Sequence, residues 1–142
     1  LKAEVLSHPD KLSNKAERVL IGAMAAHDAI NYFEKNTVLV VPGNREGVIM
    51  TALFTSMIKQ KVDFNVSGMI FTGGIKPNDK IFDLVKHAKV PTLLVEDDSY
   101  SVAAKINSML VKVRAAEEDK IKKMQSLVKK YVDVDRICKG LG

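Results

Sequence analysis

The 142-residue sequence has no tryptophan, five phenylalanines and three tyrosines, so aliphatic side chains must fill its core. Its single cysteine, Cys138, excludes an internal disulfide and a cysteine-rich metal site. Such sparse cysteine use fits a reducing cytoplasm, the compartment expected for this chain. No apolar run approaches the roughly 20 residues that a membrane span needs. No secretory signal is visible either. Basic runs interleaved with aromatics are missing, which argues against nucleic acid as a partner despite a net charge of +5. The P-loop pattern, the GxSxG elbow and the HExxH zinc motif are all absent. No nucleophile–base pair can be recognised. Catalysis by this chain alone is therefore not expected, and neither a cofactor nor a metal is called for.

What is present reads as an ordinary globular domain. Hydrophobic residues make up 46% of the chain, and a domain of this length can bury a core without staples. Acids and bases are mixed along it, which favours solubility and leaves room for an anionic small-molecule effector. The chain begins at Leu1, and residues 2–7 read as a strand. The expectation is a piece cut from a longer protein.

Runs rich in β-branched residues alternate with helical spacings. Strands are expected over 2–7, 17–24, 37–43, 67–74 and 90–98. Helices are expected over 25–35, 45–61, 77–89 and 99–110, with Pro77 near the start of the third and Ser99 as a cap for the fourth. The stretch TVLVVPG (37–43) is apolar on both faces, which suits a strand covered by helices on both sides. Strand, helix, strand, helix is the pattern of βαβ units. The expected fold is α/β, a mostly parallel sheet with flanking helices, formed by residues 1–114. A charged helix over 115–133 and a short one over 133–141 make residues 115–142 a helical extension or linker.

Ligands of parallel sheets sit beyond the carboxyl ends of the strands. Three of those ends are unusual here: Gly43-Asn44-Arg45, Thr72-Gly73-Gly74, and Glu96-Asp97-Asp98 followed by Ser99. Glycine admits a ligand or a neighbouring backbone. Arg45, placed in the first turn of its helix, would add a cation where free N–H groups already attract anions. The candidate ligand-binding or interface residues are Asn44, Arg45, Thr72, Gly73, Gly74, Asp97 and Ser99. Each also has a plainer reading. The glycines serve as turns, Arg45 pairs with Glu46 or Asp97, and the acids cap a helix. His8, His27 and His87 carry little signal.

The order of two motifs goes further. PGNREGVIM (42–50), followed by GMIFTGGIKP (68–77), resembles the pair of motifs that names the DRTGG domain. The family's Asp-Arg falls on Asn44-Arg45 and its Thr-Gly-Gly on Thr72-Gly73-Gly74. PTLLVEDDSYSVAAKI resembles the family's closing segment. RVLIGAMAAHDAINYF and the tail EEDKIKKMQSLVKKYVDVDRICKGL resemble the segments that flank this domain in long-form phosphate acetyltransferases. The likeness implies a non-catalytic regulatory and oligomerisation domain, with a homodimer and an anionic metabolite or nucleotide as partners. The alternative is a nucleotide sensor in a P-loop/DRTGG protein without acyltransferase activity. One departure stands out: the family's aspartate is Asn44 here. The change removes a negative charge beside Arg45 and keeps the ability to cap or turn. The glycines are expected to let the 43–46 and 72–76 turns lie side by side at the sheet's carboxyl edge.

Overall fold

The computed structural model describes residues 1–57 and 65–110. Five strands form one sheet: β1 (Glu4–Ser7), β2 (Arg18–Ile21), β3 (Thr37–Pro42), β4 (Val66–Thr72) and β5 (Thr92–Leu94). Their spatial order is β1-β5-β4-β3-β2. Strands β2 to β5 are all parallel, and β1 runs antiparallel to β5 at one edge. The fold is α/β with a mostly parallel sheet, as expected. Four helices join or follow the strands: α1 (Ala26–Ala29), α2 (Glu46–Met57), α3 (Asp79–His87) and α4 (Ser99–Leu110).

The two faces of the sheet are covered unequally. Leu39, Val41, Met69 and Phe71 point to one face and meet Ala29 of α1, Val48, Ile49 and Leu53 of α2, and Val85 of α3. Three helices on one face are what right-handed crossovers give when parallel strands follow one another in order. Val40, Ile70 and Val95 point the other way and meet Val102 of α4. β3 is thus buried on both sides, which explains its unbroken apolar run.

Several elements differ in extent from the sequence reading. The helix expected over 25–35 is a four-residue helix followed by a 3-10 turn at Ile30–Tyr32. The strand expected over 90–98 pairs only over Thr92–Leu94. Beyond it the Val95 N–H still donates to Phe71 O of β4, and the carbonyls of Val95 and Asp97 then accept from the turn after β4. α3 starts where Asn78 caps it, its side chain accepting from the Lys80 N–H at 3.0 Å. Lys89, with φ of 56°, ends that helix in the left-handed region. The helix expected to 61 is described to Met57. The 114/115 boundary and the helices expected over 115–133 and 133–141 lie outside the described residues.

Candidate functional site

The carboxyl ends of β2, β3, β4 and β5 bring the candidate residues to one edge. β3 stops at Pro42, and Gly43 and Asn44 turn the chain into α2. Gly43 is the point of closest approach. Its N–H donates to Ile75 O at 3.1 Å. A Cβ built there would stand 2.3 Å from Ile75 O, 2.4 Å from Lys76 C and 2.5 Å from Pro77 N. The turns after β3 and β4 therefore do lie side by side. The residue that permits it is Gly43, which the sequence reading saw as a turn and left out of the site.

Gly73 and Gly74 act differently. Both have left-handed φ, 66° and 65°. That conformation points their N–H groups across the sheet. Gly73 N–H donates to Asp97 O and Gly74 N–H to Val95 O, both at 2.9 Å. These donors are spent on the chain that follows β5 and are not available to an anion. The Glu96 carboxylate lies against Gly74, with Oε2 2.6 Å from where a Cβ would be. Thr72 is buried, and its Oγ1 shares a 2.8 Å hydrogen bond with Ser99 Oγ on α4.

Two expectations for α4 change. Its cap is Asp98 and not Ser99: Asp98 Oδ1 accepts from the Tyr100 and Ser101 N–H groups at 3.0 Å each. Ser99 already lies inside the helix and faces Thr72. Asp97 accepts from Lys105 Nζ at 2.6 Å rather than from Arg45. The Ser101 hydroxyl and N–H on Asp98, with the Tyr100 N–H after them, hold its carboxyl below the usual carboxylate range.

Arg45 sits one residue before α2 rather than in its first turn, and the Val48 and Ile49 N–H groups donate to its carbonyl. Its guanidinium reaches neither Glu46 nor Asp97. Arg45 Nη2 donates to Ala23 O at 2.8 Å and to Met24 O at 3.0 Å. The side chain thus staples the β2–α1 connection to the start of α2. No sequence signal marks those acceptors, because every residue carries a carbonyl. Asn44 is exposed and finds no hydrogen-bond partner among the described residues.

Around this staple lies an open hollow of about 500 Å³, bounded by Met24, Ala25, Asn44, Arg45 and Gly47. It collects the Arg45 guanidinium, the Glu46 carboxylate, one unengaged amide side chain and the amino end of a twelve-residue helix. The guanidinium and the helix end attract an anion, and the Glu46 carboxylate offsets part of that attraction. Among the described residues no three of His, Cys, Asp and Glu converge as metal ligands. The seven candidates therefore divide. Asn44 and Arg45 face the hollow, while Thr72, Gly73, Gly74, Asp97 and Ser99 bond one another or their neighbours.

This architecture, a parallel sheet whose turns are tied across one edge, has known relatives. The chain belongs to the DRTGG domain family, whose model matches residues 1–109. It is 24% identical over 136 residues to a phosphate acetyltransferase of Nitratidesulfovibrio vulgaris, covering 94% of this chain and 19% of that protein. To the phosphate acetyltransferase of Pseudomonas aeruginosa it is 20% identical, covering all of this chain and 20% of that protein. The chain thus spans about a fifth of the length of these relatives. The CBS and DRTGG domains from the regulatory region of Clostridium perfringens pyrophosphatase have a similar fold. That crystal structure, solved with the activator diadenosine tetraphosphate, superposes with a TM-score of 0.57 at 18% identity. The match covers 72% of this chain and 40% of that one. Among the described residues no helix is long and apolar enough to cross a membrane.

Proposed function

We propose that this chain is a non-catalytic regulatory domain that binds an anionic metabolite or nucleotide in the hollow at Asn44 and Arg45. One observation carries the reading: the Arg45 guanidinium, a free amide side chain and a helix amino end meet at one open hollow, with Glu46 as the one acid on its rim. Two further points support it. The curated relatives at full coverage are phosphate acetyltransferases, so the parent enzyme handles phosphorylated substrates under this reading. A neighbour of similar fold is part of a regulatory region crystallised with a nucleotide activator. Residues 1–114 would form the domain and 115–142 its extension, in a cytoplasmic protein.

The test is a thermal-shift panel on the full chain with ATP, diadenosine tetraphosphate, acetyl phosphate and phosphoenolpyruvate. A ligand at about 100 times its Kd stabilises the fold by roughly 2.7 kcal/mol. For a domain of this size the midpoint should rise by about 5 °C. The reading requires that this ligand-induced rise disappear in Arg45→Ala. A rise of equal size in that variant places the site elsewhere.

The chain also has a surface suited to a second copy of itself. α2 is apolar on its outer side as well as its inner one: Phe54 is 60% exposed, and Met50 lies one turn before it. Large apolar side chains turned outward on a buried-type helix mark an interaction face. A homodimer through this face predicts a dimeric mass by light scattering at micromolar concentration, reverting to monomer in Phe54→Lys.

A further inference from the structure

The hydrogen bonds of the carboxyl edge form one continuous belt. Arg45 Nη2 joins the β2–α1 connection to the β3–α2 turn through Ala23 O and Met24 O. Gly43 N–H, two residues away, joins that turn to the β4–α3 connection at Ile75 O. The Ile75 N–H returns to Thr72 O at 3.3 Å, closing the turn that holds Gly73 and Gly74. Those two glycines join it to Asp97 and Val95. Thr72 then meets Ser99, and Asp97 meets Lys105, both on α4. Every link is made by a residue in or beside the two motif segments or by the acidic stretch after β5.

The belt crosses from one face of the sheet to the other. It begins at α1, packed on the face of Leu39 and Val41, and ends at α4, packed on the face of Val40 and Ile70. Among the described residues, α4 has one buried apolar anchor. Its buried contact is Val102, with Ile106 beside it. A helix held by so small a cluster depends heavily on its polar ties at the amino end, so a change in those ties shifts its stability.

We infer that the motif residues act as a mechanical belt through which the state of the Asn44–Arg45 turn sets the stability of α4 on the opposite face. The belt works whether the turn is loosened by a mutation, by an effector or by a partner. It therefore stands independently of what the hollow binds. A coupling of this kind is a free energy shared by two sites, and it must act equally in both directions.

Hydrogen exchange on the full-length chain tests it, residue by residue, in wild type, Arg45→Ala and Ser99→Ala. In Arg45→Ala the Gly73, Gly74 and Val102 amides should exchange about fivefold faster or more, in line with ordinary coupling energies. The Ala88 amide, which donates to Leu84 O at the far end of α3, should keep its wild-type rate. In Ser99→Ala, which leaves the Asp98 cap in place, the Asp28 and Ala29 amides of the β2–α1 region should speed up reciprocally. Effects confined to residues 22–29 and 43–49 in Arg45→Ala would overturn the belt. So would effects confined to residues 72 and 97–105 in Ser99→Ala, or a uniform rise that includes Ala88. Should Arg45→Ala not fold, Ser99→Ala alone decides through the Asp28 and Ala29 amides.

Discussion

The two ends of the parallel strands do the same job with a different mix of ties. At the amino end, side chains add to backbone bonds such as Glu17 N–H to Asn36 O and Thr37 N–H to Asn65 O. Ser7 Oγ meets Thr92 Oγ1 at 2.5 Å and donates to Val90 O at 3.2 Å. Thr37 Oγ1 donates to Glu34 O, and Asn65 Oδ1 accepts from the Asn36 N–H. His8 Nε2 reaches the carbonyl of Lys86 in the last turn of α3, and Lys11 Nζ that of Lys89 just after it. At the carboxyl end, the backbone N–H groups of Gly43, Gly73 and Gly74 join the turns, beside the side-chain ties of Arg45, Thr72 and Asp97, and at Gly43 backbone also packs directly on backbone. A side-chain tie can be cut one bond at a time. The backbone tie at Gly43 fails as soon as a Cβ occupies the gap.

That contrast can be broken at chosen points, beginning with the most damaging. Gly43→Ala should be the worst single change, because its Cβ would press on three backbone atoms that cannot swing aside. A loss of about 3 kcal/mol in urea unfolding is expected, at the upper end of the overpacking range. Gly74→Ala comes next. It meets left-handed strain of roughly 1–2 kcal/mol, while the exposed Glu96 carboxylate can move away. Gly73→Ala should cost the strain alone, since its nearest neighbour would be Ile75 Cδ1 at an ordinary 3.7 Å. At the amino end, Ser7→Ala removes one hydroxyl from a buried pair and should cost about 1 kcal/mol. If Ser7→Ala proves as damaging as Gly43→Ala, the distinction between the two ends collapses.

A smaller effect concerns acid. The Asp98 carboxyl is held below its ordinary value of 3.8 by the groups it caps. A carboxyl depressed in the folded state stabilises the fold above its unfolded value, and that contribution is lost as pH falls through the folded value. The stability gap between wild type and Asp98→Asn should therefore be constant near neutrality and shrink only below pH 3.8. A gap that narrows already near pH 6 would contradict this assignment.

Much of this could be read from residue types alone. The β-branched run of β3, the proline near the start of α3 and the two motif segments place the sheet, the helix layer and the candidate edge. What escaped the sequence depends on geometry between segments that are distant in the chain. The sequence offers Arg45 either an anionic ligand or a pairing with Glu46 or Asp97, yet its partners here are carbonyls twenty-odd residues earlier, which carry no side-chain signature. Ser99 looked as good a cap as Asp98, because either side chain can accept from the first turn. The choice turned on Thr72, which claims the Ser99 hydroxyl from across the edge. Gly43 stands in an unusual strand end in the sequence, but nothing in its type separates it from the other two glycines of the edge. Only the approach of residues 75–77 shows that bare backbone is required there.

Asn44→Asp offers the sharpest probe of the hollow without disturbing either end. It restores the carboxylate of the family motif beside Arg45 and should weaken anion binding by about tenfold at low salt, less as salt screens the pair. The most direct measurement is a titration of the ¹⁵N-labelled full chain with ATP, followed by amide resonances. Saturable shifts at Asn44, Arg45, Glu46 and Gly47, with Asn36 and Ser67 unmoved, are the predicted result. An absence of saturable shifts at the carboxyl edge, or shifts centred on the amino end, would contradict the account.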